Sequence, residues 1–301
     1  MPQNFYELVW IFIIYAFIGW CTEVAYAALN TGKFVNRGFL NGPYCPIYGC
    51  GVVIVVAVLT PLKENLFILF AGSFLLTSTL EFVTGFLLEK VFHNKWWDYS
   101  EFPFNIKGYV CLKFSIYWGL ACTFVMDVVH PAIYKFITVI PYVLGVILLV
   151  AFMGVFAVDL VITVATILKF NERLKAMDEI ATRIHSISDE IGERVYENVT
   201  TAEAKHEEHK LTLEENIMEF TSEVNYHKDA LTEEWEKKVR EREELLARYK
   251  NLMEQKNLGF GRLLKAFPDM VSRNQNETLQ KYKEHLNIRK NNSPGGKKGT
   301  L

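Results

Sequence analysis

The chain has 301 residues, half of them hydrophobic, and a formal net charge of −2. This near-neutral total gives no reason to expect nucleic-acid binding, but it hides two unlike parts. Residues 1–169 hold 9 Lys and Arg and 9 Asp and Glu, whereas residues 170–301 hold 23 and 25. The first part has the composition of a membrane protein, and the second that of long charged helices.

The first apolar run extends from Phe5 to Leu29. Nothing basic precedes it, and it is too long for the hydrophobic region of a cleavable signal peptide. About 20 apolar residues span a bilayer core, so this run predicts a transmembrane helix.

The hydrophobic pattern predicts an all-α, polytopic membrane protein with about five spans. They cover residues 5–28, 45–60, 65–88, 109–129 and 141–169. The second span is short and ends at Pro61, so a tilted or partly re-entrant segment is an alternative. Residues 131–140 are either interfacial or the start of the fifth span, with Pro141 as a kink.

Loop charge predicts the orientation. One side carries Lys33, Arg37, Lys90, Lys95, Lys107, Lys169, Arg173 and Lys175, and the other carries Lys63 and Lys135. The positive-inside rule places the first side in the cytosol of a cell-membrane protein, with the N-terminus outside and the C-terminal tail inside.

Three acids lie inside the predicted spans: Glu23, Glu81 and Asp159. At 1.5 Å per residue they lie about 9, 12 and 15 Å from the predicted cytosolic edge. Buried acids in lipid are functional candidates by default. We expect one polar cavity open to the cytosol, with Arg37 as the counter-ion to Glu23 or Glu81. The alternative is that each acid bonds to neighbouring hydroxyl or backbone groups and only joins helices.

Two loops on the same side complete the candidate site. The first, KFVNRGFLNGPYCPIYGCG (33–51), carries Asn36 and Arg37. It also carries turn-forming residues expected to bend the backbone into the membrane: Gly38, Gly42, Pro43, Pro46 and Gly49. The second loop, residues 89–119, offers Trp97, Asp98, Tyr99 and Asn105 as substrate contacts or, alternatively, as interfacial and turn residues.

Neither a metal site nor a cofactor is expected. The cysteines Cys21, Cys45, Cys50, Cys111 and Cys122 match no zinc or haem spacing and are interpreted as packing residues. No catalytic motif is found.

The sequence divides into a transmembrane domain (1–169), a long helical segment (170–256) and a basic C-terminal segment (257–301). Apolar residues recur every three or four positions in the helical segment, which favours a coiled coil or a helical hairpin. Its net charge is −8, and that of the C-terminal segment is +6. The last stretch, NNSPGGKKGTL (291–301), has the composition of a flexible end.

Several stretches resemble a known family. FIGWCTEVAY (17–26), the loop 33–51, TLEFVTGFLLEKVF (79–92) and WWDYSEFPFNIKGYVCLKFSIYWG (96–119) are similar to the CmpB-like family called putative ABC-transporter type IV. RLLKAFPDM (262–270) resembles the C-terminal signature of its longer members. The matching positions are Gly19, Trp20, Glu23, Asn36, Arg37, Gly38, Gly42, Pro43, Cys45, Pro46, Gly49, Glu81, Gly85, Glu89, Trp97, Asp98, Tyr99, Ser100, Pro103, Asn105 and Gly108.

The resemblance implies a permease-like membrane protein, and it assigns no catalytic residue. An ABC role would need a separate ATPase subunit, because no nucleotide-binding motif is present here. Since five spans are few for a lone transporter, a homo-oligomer formed through the cytosolic helices is expected.

Three functions remain open. The first is a transporter or permease subunit acting on an unidentified small molecule or lipid. The second is a membrane-anchored scaffold or signalling protein organised by its tail. The third is an intramembrane lipid-modifying enzyme using the three acids.

Overall fold

The computed structural model describes residues 4–209, 217–255 and 259–286, without the side chains of residues 195, 197–209 and 217–232. Most of the described backbone is helical, so the predicted all-α class is confirmed. The chain groups into two compact units, one of Met1–Asn171 with Asn257–Leu301 and the other of Glu172–Lys256. The basic C-terminal segment, separate in the sequence division, thus joins the first unit.

The first unit is built from apolar helices. They are α1 (Phe5–Thr31), α2 (Pro46–Leu59, followed by a 3₁₀ turn, Thr60–Leu62), α3 (Leu66–Phe92), α4 (Leu112–Phe124), α5 (His130–Val139) and the first part of α6 (Tyr142–His209). Among the described residues, four stretches are long and apolar enough to cross a membrane: Phe5–Thr31, Leu66–Phe92, Leu112–Val139 and Tyr142–Arg194. Pro46–Leu62 is a shorter apolar helix, so a fifth span remains a prediction.

Residues 131–139 do not begin the fifth span. A π-helical turn at Val125–Val129 joins α4 to α5, and the combined helix runs on to Val139. The backbone becomes extended at Ile140, and α6 begins after Pro141. These residues therefore continue the helix of the fourth predicted span, and an interfacial position for them remains a prediction.

Polar residues set the ends of the apolar helices. Asn4 accepts a hydrogen bond from the Glu7 backbone N–H at the start of α1, and Gly32 ends α1 in the left-handed conformation. Asn65 caps the first turn of α3 in the same way as Asn4, and His93 terminates α3 with φ 56°. These local signals place the first and last residues of α1 and α3 where the apolar runs begin and end.

The core of the first unit lies where α1, α2, α3 and the α4–α5 helix meet. Its fully buried side chains include Ile11, Val56, Leu69 and Ile137. The outward faces of the same helices stay apolar and exposed, as at Phe67 of α3, which is 78% exposed. An apolar surface of this kind suits contact with lipid. Helices can present it there because they satisfy their own backbone hydrogen bonds within a bilayer.

One side of this unit, which we call the loop face, consists of residues 33–45, 93–111 and 259–286. It carries four two-residue strands: β1 (Asn94–Lys95), β2 (Asn105–Ile106), β3 (Val110–Cys111) and β4 (Val271–Ser272). β2 pairs with β3, and β1 pairs with β4, both antiparallel. The β1–β4 pairing joins the C-terminal segment to the loop after α3.

The helices of the C-terminal segment, α8 (Phe260–Ala266) and α9 (Asn276–His285), also pack on the first unit. The ring of Phe260 stacks on Phe170 with centroids 3.5 Å apart, and Phe267 meets Trp96 edge to face. The buried Lys283 ammonium donates to two backbone carbonyls within the same segment. Aromatic packing and strand pairing thus hold these residues on the loop face.

The second unit contains the last part of α6 and all of α7 (Ile217–Glu254). The two helices run antiparallel, because residues early in this part of α6 contact residues late in α7. The ion pairs are Arg183–Glu241 at 2.9 Å, Glu190–Lys238 at 2.6 Å and Arg194–Glu234 at 2.7 Å. The described parts of the two helices thus form an antiparallel pair, and a coiled coil remains a prediction. The predicted flexible end, residues 291–301, lies outside the described residues.

Candidate functional site

Glu23 and Arg37 form an ion pair at the end of α1 next to the loop face. Arg37 Nε lies 3.4 Å from Glu23 Oε2, and each side chain is about a quarter exposed. Arg37 Nε makes no aligned hydrogen bond within the described residues, so the contact is electrostatic rather than directional. The guanidinium also lies 5.3 Å from the centre of the Tyr26 ring. The pair is held in place yet remains partly accessible.

Tyr48 in α2 supplies the directional contact to Glu23. Its hydroxyl donates to Glu23 Oε1 over a short distance of 2.5 Å. Gly19 makes this approach possible, because a Cβ there would overlap the Tyr48 ring. α1 and α2 can therefore pack closely enough for the hydroxyl to reach the acid.

Glu81 in α3 lies in a drier place. Its side chain is 8% exposed, and Oε1 accepts a hydrogen bond from the Tyr99 hydroxyl at 3.3 Å. Trp118 of α4 also interacts with this carboxyl group. Within the described residues, Oε2 has no hydrogen-bond partner. The two acids thus differ, since Glu23 has a cation beside it and Glu81 has only neutral donors.

Trp118 connects the two acids. Its ring meets Tyr48 edge to face with centroids 5.4 Å apart, while its side chain also reaches Glu81. We call the group of Glu23, Arg37, Tyr48, Glu81, Tyr99 and Trp118 the acid–aromatic cluster. It draws residues from α1, α2, α3, α4 and both loops, so the packing of the whole unit defines it.

Asp159 has a different set of partners. Its carboxylate accepts hydrogen bonds from the backbone N–H groups of Asn41 (3.1 Å) and Gly42 (2.7 Å), and from the Asn41 side chain (2.8 Å). Thr163 Oγ1 adds a further contact at 3.3 Å. Asp159 therefore fastens the loop 33–45 to α6. A role of Asp159 in the predicted cavity remains a prediction.

Arg262 holds the same loop from the other side. Its guanidinium donates to the carbonyl oxygens of Gly38 (2.7 Å) and Phe39 (3.0 Å) and to the Asn41 side chain (3.2 Å). Burial lowers the pKa of Arg262, and the nearby Asp159 opposes that shift. Sequence reasoning did not assign a role to Arg262, although it opens the RLLKAFPDM stretch.

Asn36 braces the loop internally. Its Oδ1 accepts from the Trp20 indole at 2.7 Å and from the Gly38 backbone at 3.1 Å, and its Nδ2 donates to the Asn41 carbonyl at 2.9 Å. Pro46 is the first residue of α2, and Gly49 lies against the Phe12 backbone. The turn-forming residues thus shape the loop, while Pro43 is exposed.

The other candidates from the second loop mainly brace that loop. Asp98 Oδ1 accepts from Lys95 Nζ at 2.9 Å and from Ser100. Burial would raise the Asp98 pKa, but the Ser100 and Lys95 donors hold it below its usual value. Trp97 donates its indole N–H to the Tyr109 carbonyl at 2.9 Å.

Asn105 and Gly108 complete the turn of this loop. Asn105 Nδ2 donates to the Phe102 carbonyl at 2.8 Å, and its Oδ1 accepts from the Gly108 backbone at 3.1 Å. Gly108 adopts φ 71°, a left-handed conformation that glycine accepts without strain. Of the four candidates in this loop, Tyr99 is the one in contact with a buried acid.

An open groove of about 620 Å³ lies beside Asp159 and the loop 33–45. Its lining is mostly apolar and comprises Asn41, Gly42, Tyr44, Gly154, Val155, Val158, Asp159 and Ile162. The polar cavity expected among Glu23, Arg37 and Glu81 remains a prediction.

The described part of the chain shows no cluster of metal-binding side chains. No group of three or more His, Cys, Asp or Glu side chains there could hold a metal ion. The five cysteines are unpaired; Cys45, Cys111 and Cys122 are buried, and Cys21 and Cys50 are exposed.

The long apolar helices, with charged groups between them, define a polytopic helical membrane protein. The family described as "Putative ABC-transporter type IV" matches residues 10–164, just over half of the chain. The chain therefore belongs to this family, as its sequence stretches predicted. The matched region contains the whole acid–aromatic cluster and Asp159, whereas Arg262 lies beyond it. No solved structure matches the chain.

Proposed function

We propose that this protein is a permease-type subunit of a transporter in the cell membrane, and that the acid–aromatic cluster contacts its solute. The observation that carries the proposal is the Glu23–Arg37 pair. An ion pair among apolar helices is unfavourable unless its charges are compensated or used, and intramembrane charges commonly mark substrate pathways.

The pair also has the accessibility that solute binding needs. Both side chains are about a quarter exposed, while their neighbours Tyr48 and Trp118 are only partly exposed. Opposite charges and aromatic faces can together hold a small polar molecule or a lipid headgroup. In this proposal a cavity between Glu23, Arg37 and Glu81 opens on the loop face, and none of these residues takes a catalytic role.

The proposal includes a topology and partners. The loop face is cytosolic and the N-terminus lies outside, because the basic loop residues lie on that face. A separate ATPase subunit supplies the energy that an ABC role requires. The helices of the second unit form a coiled coil that brings two copies of the chain together.

The test measures the solutes released from inside-out membrane vesicles of cells that express the protein, so that a native ATPase subunit is retained. Mass spectrometry compares wild type with Glu23→Gln and Arg37→Gln. Lys63→Gln and Glu64→Gln, which remove an exposed charge pair from the loop after α2, are the matched controls.

We expect the wild type and both controls to release at least one solute in an ATP-dependent manner. Glu23→Gln and Arg37→Gln should lose this release. Equal solute profiles in all five proteins, at equal abundance in the membrane, would contradict the transporter proposal.

A scaffold function is the second candidate, and the paired helices of the second unit favour it. The cross-helix ion pairs in the described part of this unit present a charged surface suited to protein contacts. The ends of this unit meet, because Arg173 donates to the Gln255 carbonyl at 2.8 Å. A short Gly/Ser linker can therefore replace residues 177–251 without removing α8 and α9. If this variant still releases the solute, the permease function is supported. If it loses the binding of partner proteins and the solute profile does not change, the scaffold function is supported.

A further inference from the structure

Glu81 is a buried carboxyl group with one unused oxygen. Its Oε2 is shielded from solvent and, within the described residues, accepts no hydrogen bond. Oε1 is already engaged by the Tyr99 hydroxyl. By contrast, Glu23 has Arg37 and Tyr48, and Asp159 has several N–H donors. Glu81 is thus the acid whose charge is least compensated.

The groups that face Glu81 supply no cation of their own. The side chains that interact with its carboxyl group are Tyr99 of the second loop and Trp118 of α4, and both are neutral. Glu23 of α1 and Cys111 of β3 lie near Tyr99, and Glu23 is itself engaged by Arg37 at 3.4 Å and by Tyr48 of α2. An ionised carboxylate here would keep a large desolvation penalty, which a bound cation would remove.

Tyr99 determines which oxygen is available. Burial, reinforced by the neighbouring Glu81, holds the pKa of Tyr99 far above its ordinary value. Its hydroxyl is therefore protonated at every physiological pH and keeps donating to Oε1. The oxygen left for a cation is therefore Oε2, and because it is shielded from solvent a proton is the cation that suits it best.

We propose that Glu81 Oε2 binds and releases a proton, and that this proton is coupled to the movement of solute through the acid–aromatic cluster. Binding forms one O–H bond with a proton from water and converts the carboxylate to a neutral acid; nothing is oxidised or reduced. The coupling rests on the proposed permease function, but proton binding does not.

The experiment is infrared difference spectroscopy of the full-length protein in lipid nanodiscs, titrated between about pH 4 and about pH 10. The protonated carboxyl has a C=O stretching band that a carboxylate lacks. We expect a band that disappears on alkaline titration in wild type and in the exposed-acid controls Glu64→Gln and Glu101→Gln. Glu81→Gln abolishes it, and Tyr99→Phe shifts its frequency because the donor to Oε1 is gone.

Two results would overturn the inference. One is a Glu81 carboxyl that does not titrate across this range. The other is a band that sodium chloride removes at constant pH, which would make the bound cation sodium. The spectrum needs no transported solute, so proton binding and transport fail separately. If Glu81 titrates but no solute is released, only the permease proposal is contradicted. If solute is released but Glu81 does not titrate, only the proposal that Glu81 binds a proton is contradicted.

Discussion

Glu23 and Glu81 show how neighbours set the role of an acid at the scale of single residues. Glu23 has a cation at 3.4 Å and a hydroxyl at 2.5 Å. Glu81 is more buried and has only neutral donors. Two acids at similar predicted depth thus have different surroundings, and in our proposal only Glu81 exchanges a proton.

Tyr48→Phe tests the contact to Glu23. The change removes a hydrogen bond to a charged acceptor without altering the ring that packs on Gly19 and Trp118. We expect the free energy of unfolding in mixed detergent micelles to fall by about 1.5 kcal/mol. Tyr117→Phe, at a position where the side chain is 54% exposed, is the control and should have no effect. Equal losses in both variants would contradict this assignment.

Asp98 predicts an acid-dependent stability. Its pKa is held below the unfolded value of about 3.9, so its contribution is present above that value and disappears as the pH falls through the folded-state pKa. We expect Asp98→Asn to lower the melting temperature near pH 7 and the two melting temperatures to converge as the pH falls below the folded-state pKa of Asp98. A constant difference between the two proteins at all pH values would refute the prediction.

At the scale of elements, the loop 33–45 is held between two charged side chains from distant parts of the chain. Asp159 on α6 accepts from its backbone N–H groups, and Arg262 on α8 donates to its backbone carbonyl groups. Because this loop carries Arg37, the position of the Glu23 partner depends on both. The C-terminal segment is therefore part of the support of the site.

Arg262→Ala should loosen this loop. Cys45 at its end is 5% exposed, and burial raises the pKa of its thiol to about 12, so the folded protein protects it. In a Cys21→Ser, Cys50→Ser background we expect maleimide labelling of Cys45 to accelerate by at least about tenfold, because several hydrogen bonds to a charged group are lost.

Two further variants make the result specific. Lys265→Ala removes an exposed charge from the same helix and should label at the wild-type rate. Arg262→Lys keeps the charge but not the planar set of donors, and we expect an intermediate rate. Unchanged labelling in Arg262→Ala would show that the loop is held without this residue.

At the scale of the whole molecule, the two units separate membrane packing from charged helix pairing. The first unit includes both the apolar helices and the C-terminal segment, and the second is the long pair between them in the sequence. A truncation after α6 would therefore remove α8 and α9 together with the pair, which makes internal replacement the cleaner experiment.

Replacing residues 177–251 with a Gly/Ser linker should leave the first unit folded. We expect Cys45 to stay protected and the mass measured by light scattering in detergent to fall from that of a homodimer to that of a monomer. A dimer that survives the replacement would place the contact between copies in the first unit, and a monomeric wild-type protein would remove the dimer proposal.

Much of this architecture is local and was predictable. Apolar length indicates the membrane helices, and Asn4, Gly32 and Asn65 mark their ends, because helix length and capping depend on neighbours in sequence. The π-helical turn that carries the fourth span to Val139 was not predicted. No change in composition marks this turn in the sequence, because apolar residues continue on both sides of Asp127.

The sequence by itself determined that acids lie within apolar helices and that basic loops adjoin them, because composition and helical rise are properties of the chain. Only the tertiary structure decided that Arg37 lies beside Glu23, that Asp159 holds a loop, and that Arg262 reaches back more than two hundred residues to the same loop. Charge pairing depends on which helices approach each other. That approach is set by packing details, such as Gly19 against Tyr48, which no local pattern encodes.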